Sequence, residues 1–82
     1  MNVLAQIIED YPDEYFLKAD GFDDAIIGID QESLRLIYSV DKMKSILMTV
    51  DEMSEDDARD YLDFNVLSAY MGEKNPIYCI IY

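Results

Sequence analysis

Histidine is absent from this 82-residue chain, and only six residues are basic against 18 acidic ones. The first absence removes the commonest general acid/base near neutral pH and the commonest metal ligand. The second removes the Lys/Arg surface on which binding to nucleic-acid phosphates or anionic membranes depends. Cysteine occurs once, as Cys79. No intrachain disulfide can form, which excludes a small disulfide-stapled scaffold and favours a reducing cytoplasm. Neither a Gly-rich phosphate loop nor a nucleophile elbow occurs. No apolar stretch approaches the length of a membrane span. Met1-Asn2-Val3 does not begin a basic region followed by a long apolar run, so no signal peptide is expected.

What is present is a folding sequence under charge. A hydrophobic content of 51% is too high for a disordered acidic tail. The length suits one domain, residues 1–82. A chain of this size buries only about two-thirds of its unfolded surface, so its core is modest. A net charge of −12 adds self-repulsion, which salt or a basic partner would relieve.

The local patterns predict the order αββααβ. Leu4, Ile7, Ile8 and Tyr11 recur at helical spacing before Pro12. The stretch 13–20 fits a strand or a helical turn. Ala25 to Ile29 is a β-rich apolar run in which Gly28 suggests a bulge or a close backbone approach. A polar loop over Asp30 to Ser33 leads to the alternating Leu36, Tyr38 and Val40. Asp41 is placed to cap a helix carrying Met43, Ile46, Leu47 and Val50. Ser54, followed by Glu55, Asp56 and Asp57, is a better cap. The helix it starts is expected to reach about Met71, with Gly72 ending it. Pro76 to Tyr82 predicts a closing strand buried on both faces or central in its sheet. The fold class is α+β, with helices packed on a three-stranded antiparallel sheet.

Three blocks carry a resemblance: GFDDAIIGID (21–30), DKMKSILM (41–48) and MSEDDARDYLDFNVLSAYMGEKNPI (53–77). With them the chain resembles a family of small proteins encoded by tailed bacteriophages and their prophages. The match covers about two-thirds of the chain, mainly its second half, and omits the first helix. The resemblance implies a phage-encoded accessory protein acting in the host cytoplasm. It supplies no activity and no catalytic residues to carry over, and it raises the expectation of host-directed binding, including interference with defence.

The candidate site lies on the late helix. Ala58, Leu62, Asn65 and Ala69, flanked by Tyr61 and Val66, form the expected core stripe, with Asn65 a structural amide. On the other side Phe64, Leu67 and Met71 make a second apolar stripe. Either the first helix covers it through Ile7 and Ile8, the favoured reading in so small a domain, or it is exposed and binds a partner or a second copy. Asp56, Asp60 and Asp63 share a neighbouring side, with Arg59 placed to screen them. They form either an ordinary solvated face or the acidic rim of a binding surface.

Other clusters point to less. Asp20, Asp23 and Asp24 around Gly21 lack calcium-loop spacing and suit loop or cap chemistry. Cys79, in a predicted buried strand, is expected to be a core thiol. No catalytic, cofactor or metal residue is assigned, and the protein is expected not to be an enzyme. The expected function is binding to a host protein with a basic surface. Asp56, Asp60 and Asp63 would steer the encounter, and Phe64, Leu67 and Met71 would anchor it. Direct contact with nucleic acid or membrane is not expected. The alternatives are a DNA mimic that occupies the basic groove of a host nucleic-acid enzyme, and a self-associating structural protein, in the simplest case a homodimer.

Overall fold

The computed structural model describes residues 3–82. Met1 and Asn2, which enter the signal-peptide expectation, lie outside the described residues. The fold is α+β, and the described residues form three α-helices and one three-stranded sheet in strand order β1-β2-β3. No helix among the described residues is long and apolar enough to cross a membrane.

Helix α1 (Val3–Asp10) buries Leu4 and Ile7, the i and i+3 positions that face β1. Ile8 and Tyr11 remain exposed, because β1 and the short turn before it cover only a narrow stripe of the helix. The segment after it takes no regular form but is tied down at its end. The backbone N–H of Ala19 donates to the Tyr38 hydroxyl at 2.8 Å. Phe22 and Ala25 are buried beside it, and a single 3-10 turn (Asp23–Ala25) delivers the chain to the sheet.

Strands β1 (Ile26–Ile29) and β2 (Leu36–Ser39) pair antiparallel, Ile26 opposite Tyr38 and Ile29 opposite Leu36. The register shifts between Ile26 and Gly28, so the bulge expected at Gly28 is present. A close backbone approach is not the reason for this glycine, since a Cβ there would meet nothing within 4 Å. The loop between the strands is closed by Asp30, whose Oδ2 accepts from the Ser33 N–H at 2.8 Å and the Ser33 hydroxyl at 2.6 Å. These Ser33 bonds hold the Asp30 carboxyl below the usual carboxylate range.

β2 runs directly into α2 (Val40–Val50), and its last residue is also the cap. The Ser39 hydroxyl accepts from the Lys42 N–H at 3.3 Å. The predicted cap, Asp41, instead stands in the first turn, where its charge still complements the helix dipole. The helix begins early because Ser39 already supplies an extended backbone and a hydroxyl. Met43 and Leu47 are buried and Ile46 is half-buried, whereas Val50 is exposed.

Helix α3 (Glu55–Asn65) starts as expected, with the Ser54 hydroxyl accepting from the Asp57 N–H at 3.1 Å. Ala58 and Leu62 are buried against the core. The helix then ends six residues short of the expected Met71. Val66 leaves helical geometry, and the Val66 and Leu67 N–H groups both donate to the Leu62 carbonyl, at 3.0 and 2.7 Å. On a continued helix Val66 and Leu67 would point about 100° apart. Ending the helix lets both pack on the core, and both do. Asn65, the last residue of the helix, and Ala69 beyond it are exposed rather than part of the core stripe, and Tyr61, expected on its flank, is exposed as well. Gly72 keeps its left-handed backbone (φ 110°), but in the turn before β3 and not at the helix end.

β3 (Ile77–Cys79) corrects two expectations. It runs parallel to β2, Ile37 opposite Ile77 and Ser39 opposite Cys79, so the sheet is mixed. It also lies at the sheet edge, half-buried, with Ile80 and Ile81 each 58% exposed beyond it. The connection through α2, α3 and residues 66–76 is ample for the crossover that a parallel pair needs. α1 packs over β1 and α2 over β2, α3 packs mainly on α2, and β3 has β2 as its principal neighbour. Cys79 is accordingly a half-buried free thiol, not a core one.

Candidate functional site

With about 100° per residue, α3 places Asp56, Asp60 and Asp63 along one crest, opposite the buried Ala58 and Leu62. All three aspartates are exposed. Arg59, expected to screen them, makes its ion pair elsewhere. Its Nη2 lies 3.2 Å from Glu55 Oε1, the same oxygen that Lys44 Nζ approaches at 3.7 Å. Lys18 and Lys74 pair with Asp23 and Glu14, at 3.4 and 3.5 Å. Arg35 donates to the Ser33 hydroxyl and the Asn75 carbonyl. Among the described residues, no ion pair therefore involves the crest, and its negative field faces solvent.

The predicted apolar stripe of Phe64, Leu67 and Met71 does not form, because α3 ends before Leu67. Nor does α1 cover any of it, since α1 packs on β1 and the 3-10 turn. The three residues go to different places. Phe64 stands on one flank of the crest at 79% exposure. Met71 lines a small depression of about 250 Å³ on that same flank, with Tyr61, Asn65, Ala69 and Tyr78 among the other walls. Leu67 turns to the opposite flank and is half-buried.

On that opposite flank lies a concavity of about 610 Å³. Its apolar surface is Val40, Leu62, Leu67, Tyr78 and Ile80. Asp41, Lys44, Arg59 and Asp63 contribute the polar rim. It is an open groove between the two helices and the β3 edge. The sequence pointed to Asp63 and Leu67 here, but not to Tyr78 and Ile80. The available signal was the uncharged run Ile77-Tyr78-Cys79-Ile80-Ile81-Tyr82 in a chain otherwise dense with acids.

Among the described residues, no group of three or more Cys, Asp or Glu side chains is placed to hold a metal ion, and Asp20, Asp23 and Asp24 are no exception. Tyr38 in β2 is fully buried, its hydroxyl accepting from the Ala19 N–H. Burial pushes its pKa up from 10.0 to about 12, and it pushes the neighbouring Tyr78 upward too. The rings lie 5.7 Å apart and serve packing.

Compared with known proteins, the chain matches no family model, no curated protein and no solved structure.

Proposed function

We propose that this is a non-catalytic accessory protein of bacteriophage type that acts in the host cytoplasm by binding a basic host protein, with α3 at the centre of the contact. One observation carries the reading. An exposed row of unpaired carboxylates, Asp56, Asp60 and Asp63, runs beside a phenylalanine that is 79% exposed. An exposed large aromatic costs solubility and contributes nothing to the fold, yet aromatic anchors dominate binding energy where they fill a partner's pocket. The aspartates would steer a positively charged partner, and Phe64 would hold it once docked. Leu67 supports the same helix end from within the groove, and Met71 with Tyr61 extends the apolar flank beyond Phe64.

The test starts from affinity capture in host cells, followed by kinetics with the purified partner. Phe64→Ser is expected to raise the dissociation rate by about tenfold or more, the effect of a modest anchor. A dissociation rate unchanged by Phe64→Ser would remove α3 from the contact. Displacement of the partner by duplex DNA would turn the reading into DNA mimicry. A stable dimer in light scattering, with no partner recovered, would leave the self-associating reading in its place.

A further inference from the structure

We infer that the free edge of β3 and the groove beside it form a strand-addition site, which takes an extended segment of the basic partner as a fourth strand of the sheet. The inference rests on the reading that the partner is a basic protein, and it adds where and in what conformation that partner binds.

Two independent features meet at this edge. The first is backbone chemistry. β3 is hydrogen-bonded to β2 on one side only, so alternate N–H and C=O groups face away from the sheet. Natural edges are usually guarded by charge, proline, a bulge or a covering element. β3 is only three residues long, but residues 77–82 carry no charged side chain and no proline, and among the described residues no helix makes more than slight contact with β3. By contrast, the opposite edge strand, β1, has both a bulge and α1 against it.

The second feature is the groove. Side chains alternate along a strand, so Tyr78 and Ile80 share the face that looks toward α2 and α3. They form one wall of the 610 Å³ concavity, and Val40, Leu62 and Leu67 form the rest of its apolar surface. A strand laid along β3 would drop every second side chain into this space. In strand addition, the ladder supplies affinity and such pockets supply specificity.

Charge selects the occupant. The two cations at the rim, Lys44 and Arg59, both approach the Glu55 carboxylate. Asp41 and Asp63 at the same rim take part in no ion pair among the described residues. A segment that sets apolar residues over the floor and Lys or Arg on the same face, two positions before or after them, satisfies both the floor and the rim. A second copy of this chain fits less well. It brings another charge of −12 and would set Asp41 and Asp63 near their own counterparts.

The probe is an acetylated, amidated heptapeptide with Val at its third and fifth positions, Lys or Arg at its first and seventh, and Thr between them, added to the full isotope-labelled chain. The control is the same peptide with alternate backbone amides N-methylated, which keeps its charge and side chains but cannot form the ladder. The expected result is slower amide exchange through 77–82 on adding the probe, with binding at least about tenfold weaker for the control. Ile80→Lys, at a position 58% exposed, should keep the wild-type melting temperature and weaken the probe by a similar factor. Equal binding of probe and control, with shifts confined to residues 56–64, would overturn strand addition while leaving the basic-partner reading intact. Failure of the probe to bind at all would also overturn it. So would protection of 77–82 that rises with protein concentration alone, which would make a second copy the occupant.

Discussion

β2 and β3 are both short apolar strands, paired with each other residue for residue, yet they meet different fates. Leu36, Tyr38 and Ser39 in β2 are buried, with a partner strand on either side and α2 packed against it. Ile77, Tyr78 and Cys79 in β3 are each half-buried, and the two isoleucines that follow are largely exposed. Strand composition alone therefore does not set burial. In a chain this small the covering elements run out before the sheet does. α1 covers β1 and α2 covers β2, while α3 packs mainly on α2 and leaves the β3 side open. The stable half holds the molecule together, and the open half provides the surface that a partner can use.

Breaking the covered half should have the largest effects. Leu62→Ala removes a 1%-exposed side chain from beneath α3 and should cost about 2–5 kcal/mol in urea unfolding. A loss below 1 kcal/mol would mean that α3 is not part of the core. Tyr38→Phe leaves the Ala19 N–H without its partner and should cost about 1–3 kcal/mol. The same tyrosine gives a pH signature. Its folded pKa of about 12 lies above its ordinary 10.0, so the folded state holds the proton more tightly than the unfolded state. This contribution is intact below pH 10 and is lost as pH rises toward 12, by roughly 3 kcal/mol at most. Tyr38→Phe should lack that part of the alkaline slope in stability measured against pH. Ser54→Ala removes one hydrogen bond at the α3 start and should cost about 1 kcal/mol.

The open half should behave in the opposite way. Phe64→Ser should change stability by less than about 0.5 kcal/mol, because 79% of that residue already faces water. A large loss of stability in this variant would show that Phe64 packs in solution and would erase the contrast.

The local parts of this arrangement were legible in the sequence, and the long-range parts were not. The Ser54 cap, the Ala58 and Leu62 stripe and the bulge at Gly28 each follow from side chains within a few residues of one another. The end of α3 does not. Helical spacing continues through Leu67 and Met71, and only the pull of Val66 and Leu67 toward one core stops it. The direction and place of β3 were equally hidden. A continuous apolar run suits a central strand as well as an edge, and the two differ only in what the rest of the chain has left to cover it. The candidate site inherits both outcomes. Asp56, Asp60, Asp63 and Phe64, all within the helix, share one exposed surface as read. Leu67 and Met71, beyond its end, separate to opposite flanks of the crest.

The central claim is that the unpaired carboxylates of α3 draw in a basic partner. It is tested most directly by the association rate of wild type and of the triple variant Asp56→Asn/Asp60→Asn/Asp63→Asn, each measured from low to high ionic strength with the captured partner. The wild-type rate should fall steeply with salt, and the variant should start about tenfold slower and respond weakly. Two coincident curves would contradict the claim.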